Sequence, residues 1–273
     1  GMVYAIIVTY NPEQKLLDSQ FKTLSHQVDG IVYVDNGSSI KPILPQSGNI
    51  SVIWNEENEG LGKAQNQGIE LAIDKGADYI LLLDQDSELA NGMVDILKVH
   101  YENLKKKGER VGVIAPIKIS AYNNEVGREV IDLSFNIRTV VVTDILEVDY
   151  TIASGMFFPI ETYNNVGRMS ELLFIDGVDL DWCCRVKNGG LKIFVTAFAK
   201  LYHRLGDGGK DRIKSHSSFR EFYITRNDIY LARQSYIPLG YRMRKSITPF
   251  ARLAMSIVRL NINYVKSEIR GIL

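Results

Sequence analysis
Tyr79-Ile80-Leu81-Leu82-Leu83-Asp84-Gln85-Asp86-Ser87 is an unbroken apolar run of strand length that ends in two carboxylates one residue apart. A strand that is apolar at every position suits a parallel sheet covered by helices on both faces. Ligands of such open α/β sheets gather beyond the carboxyl ends of the strands. Alternate residues at a strand end point the same way, so Asp84 and Asp86 can reach one hard cation while Gln85 points elsewhere. Mg²⁺ or Mn²⁺ held by one or two carboxylates together with substrate phosphates suits that pattern. On this stretch alone an equal alternative stands: the two acids open the helix that follows, because Asp is a good N-cap.

The chain upstream alternates in the same way. Val3–Val8 reads as a buried strand broken at Thr9-Tyr10-Asn11-Pro12, and Leu16, Leu17, Phe21 and Leu24 place a crossover helix within residues 13–27. Ile31–Val34 is a second strand ending in the turn residues Asp35-Asn36-Gly37-Ser38. Ser51–Trp54 forms a short third strand, and a helix spans about Lys63–Lys75 before Gly76 closes it. Strand and helix in alternation predict an α/β fold with right-handed crossovers. Gly60-Leu61-Gly62 is not a dinucleotide fingerprint: Gln65 occupies the third glycine's place, and the pair follows the third strand.

Downstream, Met93–Lys107 is an amphipathic helix, Val111–Pro116 a strand, and residues 117–150 a less regular antiparallel region. A further helix stops at Asn188-Gly189-Gly190, and Ile193–Val195 and the segment to His203 are the last strands. Phe219–Arg233 is helical, aromatic and cationic. Residues 241–273 carry seven Lys/Arg against Glu268 alone, with Ile247, Phe250, Leu253, Ile257, Val258 and other apolar residues between them. They make a basic amphipathic helix or helix pair, which either lies on an anionic membrane surface or packs on the domain or a second subunit, as in a homodimer. Residues 1–217 are expected to form one catalytic domain, with a nucleotide-sugar half to about 115 and an acceptor half over 116–217. Residues 218–273 are expected to form a helical appendage.

Composition narrows the functional class. The 273 residues hold 32 Lys/Arg and 32 Asp/Glu, so no net field draws nucleic acid. Cys183 and Cys184 are adjacent and lack both disulfide and metal-ligand spacing, which fits a reducing, cytoplasmic compartment. No leader-like segment precedes the first strand, and no apolar run is long enough to span a bilayer.

Five blocks occur in order: Val8-Thr9-Tyr10-Asn11, Val34-Asp35-Asn36-Gly37-Ser38, Asn58 to Asn66, Leu83-Asp84-Gln85-Asp86-Ser87, and Asp176 to Arg185. Together they resemble the inverting, GT-A-fold glycosyltransferases of family 2. The Asp-Gln-Asp-Ser form and Phe219-Arg220-Glu221-Phe222-Tyr223-Ile224-Thr225-Arg226-Asn227 are similar to the rhamnosyltransferases of that group. The resemblance spans about residues 2–233. It implies a mostly parallel GT-A-type sheet and a nucleotide-sugar donor bound through a divalent metal, dTDP-rhamnose in this subgroup. The sugar would pass in one inverting displacement to a hydroxyl of a glycan or glycolipid acceptor. The basic segment would bring such an enzyme to the cytoplasmic face of the inner membrane, with peripheral attachment if it binds lipid.

The resemblance assigns roles to residues. Asp86 is the metal ligand, Asp84 sits near the ribose or the metal, and His203 is a third ligand. Asp35 accepts hydrogen bonds from a thymine or uracil imide or a ribose, and Thr9, Tyr10 and Asn11 line the base pocket. A strand-ending turn explains Thr9, Tyr10 and Asn11 equally simply, and an ordinary Asp-Asn-Gly turn is the alternative for Asp35. Asn58, Gly60 and Gly62 form a loop before a helix N-terminus, where free N–H groups favour phosphate or sugar oxygens, and Asn66 follows one turn on. Ser154 and Gly155 match a turn lining the donor sugar.

Asp179 falls at the base position counted from Arg185. Val178 replaces the commoner Glu, and Asp176 stands in as the second acid. Asp181 either caps the helix or meets acceptor, and all three acids are also ordinary first-turn residues. Trp182 stacks on a sugar or fills the core. Arg220 and Arg226 clamp diphosphate or form surface ion pairs, and Asp207-Gly208-Gly209-Lys210 reads as a loop that closes over the donor. Two rival functions remain. A sugar-phosphate nucleotidyltransferase would open with a Gly-rich loop where Thr9-Tyr10-Asn11-Pro12 stands. A non-catalytic nucleotide- or carbohydrate-binding protein would bind without turnover.

Overall fold
A computed structural model describes residues 1–174, 176–204 and 218–272; for 218–221 and 261–272 it describes the backbone alone. Strands β1 (Val3–Thr9), β2 (Gly30–Asn36), β3 (Ile50–Asn55) and β4 (Tyr79–Leu83) alternate with helices α1 (Gln14–Leu24) and α2 (Leu61–Asp74). A two-residue strand β5 (Glu88–Leu89) precedes α3 (Met93–Lys106) and the long β6 (Val111–Ser120). A small hairpin of β7 (Glu129–Asp132) and β8 (Arg138–Val140) leads to β9 (Ile145–Val148) and β10 (Phe157–Pro159). The order closes with α4 (Ile160–Val166), α5 (Val178–Asn188), β11 (Lys192–His203), α6 (Ser218–Arg233) and α7 (Leu239–Ile272).

The main sheet runs β3-β2-β1-β4-β10-β6-β11-β5, with β9 paired to β11. Strands β3, β2, β1 and β4 are parallel, as are β6 and β11, while β10 runs antiparallel between β4 and β6. This is the mostly parallel α/β sheet with a C-terminal helical region that the sequence predicts.

The apolar run of β4 divides by parity, as a two-faced strand must. Ile80 and Leu82 enter a core with Ile6, Val32, Val34, Ala64 and Ile69, under α2 and α5. Leu81 and Leu83 enter the opposite core with Ala5, Ile7, Ile31, Tyr33, Leu17 and Leu97, under α1 and α3. Each such fully buried side chain contributes about 1.5–3 kcal/mol, so neither face tolerates a polar residue cheaply.

The structure decides two open alternatives and corrects one expectation. Asp84 and Asp86 do not open a helix, because β5 intervenes and α3 begins after Gly92, whose φ of 72° supplies the left-handed turn. The last two predicted strands are one strand, β11, whose register against β6 shifts between Thr196 and Lys200. The basic C-terminal segment forms one helix, α7, with Pro249 inside it.

Candidate active site
The topology sets one edge of the sheet as the site. The carboxyl ends of β2, β1, β4, β6 and β11 all reach that edge, and β10 enters from it. Thr9 is level with Asp35, and the next link runs from Tyr10 to Gln85. Tyr10 N–H donates to Gln85 Oε1 at 2.9 Å, tying the β1 exit to the Asp84-Gln85-Asp86 turn.

Asp35 is buried at 1% exposure. Its Oδ2 accepts from Thr9 Oγ1 at 2.8 Å and from Ser38 Oγ at 2.6 Å, and its Oδ1 accepts from Ser38 N–H at 2.9 Å. A carboxylate accepts about four hydrogen bonds, so one direction remains for a ligand donor. Thr9 is itself fully buried; it steadies Asp35 and does not line a pocket. Tyr10 and Asn11 are exposed beside it, Asn11 at a positive φ of 45° with its Oδ1 accepting from Ser39 N–H at 2.8 Å.

Across the edge, Asp84 accepts from Ser154 Oγ at 2.9 Å, and the Asp84 carbonyl accepts from buried Gln20 at 2.7 Å. His203 ends β11. Leu201 and Tyr202 pair with Leu89 and Glu88, so antiparallel register carries His203 toward Ser87 and the Asp86 turn. Arg204, next in sequence, donates to the Asp86 carbonyl at 2.7 Å. Burial lowers the His203 pKa, while the Asp84 charge acts in the opposite sense. Among the described residues no three His, Cys, Asp or Glu side chains already form a metal-holding group. Asp84, Asp86 and His203 thus lie at one end of the sheet without being gathered into a single ligand group.

Asp179 arrives from the first turn of α5, behind Gly177 at a φ of 87°. Its Oδ2 accepts from Ala153 N–H at 3.2 Å and from Tyr150 Oη at 3.1 Å, and its Oδ1 accepts from Leu180 N–H at 2.9 Å. Burial raises its pKa above the ordinary carboxylate value; those three donors pull it back down. Asp84 holds Ser154 while Asp179 holds Ala153, so acids 95 positions apart in sequence grip neighbouring residues of one turn. Gly155 completes that turn at a φ of 93°, and its N–H donates to the Leu82 carbonyl at 2.7 Å. A side chain there would strike Pro116, which explains the glycine.

Residues 4–136 match the sequence profile of Glycosyl transferase family 2. The chain is 32% identical over 279 aligned positions to dTDP-rhamnosyl transferase RfbF of Shigella flexneri, covering 98% of this chain and 93% of that protein. The chain belongs to glycosyl transferase family 2. Solved structures agree on the fold. GalNAc-T7 with UDP, GalNAc and Mn²⁺ superposes with a TM-score of 0.59 at 18% identity, over 83% of this chain. This chain spans only 50% of that structure's length. TarS 1-349 of S. aureus in complex with UDP-GlcNAc gives 0.54 at 16% identity, over 89% of this chain and 69% of that one. The chain is therefore a glycosyltransferase, similar in sequence to a rhamnosyltransferase.

Other residues of this glycosyltransferase serve the frame and not the cleft. Asn66 is fully buried, and its amide is spent on both backbone groups of Met169, at 3.0 and 2.9 Å, so it binds no substrate as placed. Gly62 packs against the Ser170 carbonyl, which leaves no room for phosphate to approach its Cα. Gly60 caps α2 at a φ of 86° under Phe174, and its N–H is taken by Asn58 Oδ1 at 2.9 Å. That bond engages Asn58 Oδ1 within its own loop, while the residue stays exposed. Trp182 is fully buried, tilts against Phe158 at 4.8 Å and donates to the Gly167 carbonyl at 2.9 Å; it fills the core. Asp181 is buried between Arg185, at 3.0 Å, and Tyr236 Oη, so it fastens α5 to the α6–α7 connection. Asp176 is exposed near Asp179, with its carbonyl accepting from Asn227 at 2.9 Å. Arg226 is exposed over the Tyr223 ring. The side chain of Arg220 and the loop Asp207–Lys210 lie outside the described residues.

Sequence reasoning missed several supports. Gln20 interrupts the apolar stripe of α1, which was a readable sign of a buried polar task. Asn36 joins the Gly60 carbonyl and the Glu59 N–H, fixing the loop before α2. Lys118 and Glu129 form a buried pair at 3.0 Å, two residues along β6 from Ser120, which is level with His203. Tyr150 carried no motif at all.

Proposed function
We propose that this glycosyltransferase moves a deoxyhexose, rhamnose, from dTDP-rhamnose to a hydroxyl of a surface polysaccharide or its lipid-linked precursor, with inversion. What supports this reading most is the shared turn: Asp84 and Asp179 hold Ser154 and Ala153 from two different elements. A donor-side acid and a base-side acid then flank one small volume.

Asp35, steadied by Thr9 and Ser38, accepts from the thymine imide or the ribose, and Tyr10 and Asn11 border the base. Asp84, Asp86 and His203 would hold Mg²⁺ or Mn²⁺, which supplies Lewis-acid stabilisation of the departing diphosphate. Asp179 removes the proton of the acceptor hydroxyl, whose oxygen attacks the anomeric carbon opposite the leaving group. A raised pKa suits a general base, since a more basic carboxylate takes a proton more readily. The donor half, about residues 1–115, supplies Asp35, Asp84 and Asp86, and the acceptor half, 116–217, supplies Asp179 and His203.

Helix α7 places Met243, Ile247, Phe250, Leu253 and Val258 in solvent, each more than half exposed. Among the described residues no helix is long and apolar enough to cross a membrane. We therefore read α7 as lying on the anionic cytoplasmic membrane surface, where a lipid-linked acceptor is presented. The similar Shigella flexneri protein is a dTDP-rhamnosyl transferase, which supports the donor choice. The test is calorimetry with a panel of nucleotide-sugars, with and without Mn²⁺. Metal-dependent binding led by dTDP-rhamnose is the expected result; equal or absent binding across the panel would contradict it.

A further inference from the structure
We infer that Gln20 is a positioning residue of the transfer: from the buried face of α1 it fixes the backbone of the Asp84–Ser87 turn, and with it the placing of Asp84 and Asp86 against the donor. This rests on the proposed role of those two acids at the diphosphate.

The turn has no regular structure of its own. Residues 84–87 lie between β4 and β5 in neither strand nor helix, and β5 is only two residues long. Backbone groups in such a place need other partners. Three of the turn's four carbonyls find them in side chains. Those of Asp84 and Ser87 accept from Gln20 Nε2 at 2.7 and 2.8 Å, and that of Asp86 accepts from Arg204 at 2.7 Å. Ser87 Oγ also lies 3.3 Å from Gln20 Nε2. One amide thus ties the first residue of the turn to the last and sets its span.

Gln20 is present for its donor end. It is fully buried, with Leu17 and Leu24 of the same helix in the core on either side. Carbonyls only accept, so the amide cannot be turned over, and Oε1 has no hydrogen-bond partner among the described residues. A position that calls for an apolar side chain keeps an amide with one end unmatched, and the other end is spent wholly on the turn. The grip carries outward. Gln20 holds the Asp84 carbonyl while the Asp84 carboxylate accepts from Ser154 Oγ at 2.9 Å, so this acid is fixed at root and tip. Binding groups have to be held within about 0.5 Å of their working positions, which a turn without a ladder does not do alone.

The same side of α1 supplies matched comparisons. Thr23 Oγ1 accepts from Leu89 N–H at 3.1 Å. Gln27, just past the helix end, donates to the Ala90 carbonyl at 3.0 Å and accepts from Val94 N–H at 3.1 Å. These two residues hold β5 and the entry to α3, beyond the acids. Gln20 and Gln27 are both amides bonded to the backbone of the segment after β4, yet only Gln20 reaches the acid turn. Loss of a purely structural bond would affect the two alike.

The test takes the full chain and measures dTDP binding by calorimetry with Mn²⁺, thymidine binding by NMR titration, and the melting temperature. Thymidine reaches the base pocket at Asp35 and carries no diphosphate. Gln20→Met should weaken dTDP at least about tenfold and leave thymidine within about twofold of wild type. Gln20→Asn keeps an amide one carbon short of the turn and should do the same, which preserves the test where the methionine variant does not fold. Gln27→Leu and Thr23→Val should lower the melting temperature by a few degrees and keep dTDP within about twofold. Undiminished dTDP binding in either Gln20 variant, an equal loss of dTDP and thymidine, or an equal loss of dTDP in Gln27→Leu would each overturn the inference. If the wild type binds thymidine but not dTDP, the donor reading fails and this inference falls with it. If the wild type and the Gln20 variants bind dTDP equally, the inference alone falls.

Discussion
Replacing Tyr150 with Phe removes one donor from Asp179 and keeps the ring. The hydroxyl donates to Asp179 Oδ2 at 3.1 Å, alongside Ala153 N–H at 3.2 Å on the same oxygen. Burial, together with the Asp179 charge, raises the Tyr150 pKa, so the phenol stays a donor over the working range. Hydrogen bonds to charged groups contribute about 1.5–3 kcal/mol. At 3.1 Å this one belongs near the lower figure, about a tenfold effect. The sign follows from what the bond favours. It stabilises the carboxylate against burial, so its loss raises the Asp179 pKa further. A base must be ionised to act, so the acid limb of the pH–rate profile moves to higher pH. Release of dTDP from dTDP-rhamnose, followed from about pH 5 to 9 with acceptor present, should show kcat/KM down about tenfold on the acid side and recovering toward the alkaline side. A loss equal at every pH, or no loss, would refute the assignment of Tyr150 to Asp179's ionisation.

Three further outcomes follow from the same geometry. Asp35→Asn keeps the shape but loses the charge that Thr9 and Ser38 address, so dTDP affinity should fall at least about tenfold by calorimetry; unchanged affinity would remove Asp35 from the base pocket. Asp86→Ala should abolish the Mn²⁺-dependent part of dTDP binding while leaving the metal-free part within about twofold, and retained metal dependence would place the ligand elsewhere. Sedimentation with phosphatidylglycerol vesicles should bring down the full chain, less so as salt rises, and Phe250→Ser with Leu253→Ser should release it. Concentration-dependent dimerisation without vesicle binding would instead assign the apolar face of α7 to a second copy.

The fold was readable because its strands are buried on both faces. β1, β2 and β4 carry apolar residues at consecutive positions, a pattern that few other architectures accept. The positions of Asp35 and Asp84 at strand ends were readable for the same reason, whereas Asp179, in the first turn of α5, was reached only through the family resemblance. The division of labour was harder to see. Asn66, Gly62 and Trp182 stand in suggestive places, yet backbone groups of Met169, Ser170 and Gly167 claim them across long sequence separations. Such partners leave no local signature. Asp179 and Asp181 show the point most directly: two first-turn acids differ only in what meets them, Ala153 and Tyr150 for one, Arg185 and Tyr236 for the other.

Asp179→Asn bears on the whole account. Because burial lifts the folded pKa of Asp179 above its unfolded value, ionisation lowers folding stability as pH rises through that interval. The amide escapes this cost, so the variant should melt within a few degrees of the wild type at neutral pH. Measured with dTDP-rhamnose, Mn²⁺ and an acceptor glycoside, it should bind dTDP within about twofold of wild type and turn over at least about a hundredfold more slowly. Near-wild-type turnover by Asp179→Asn would contradict the claim that this carboxylate, gathered with Asp84 about one turn, is the base of the transfer.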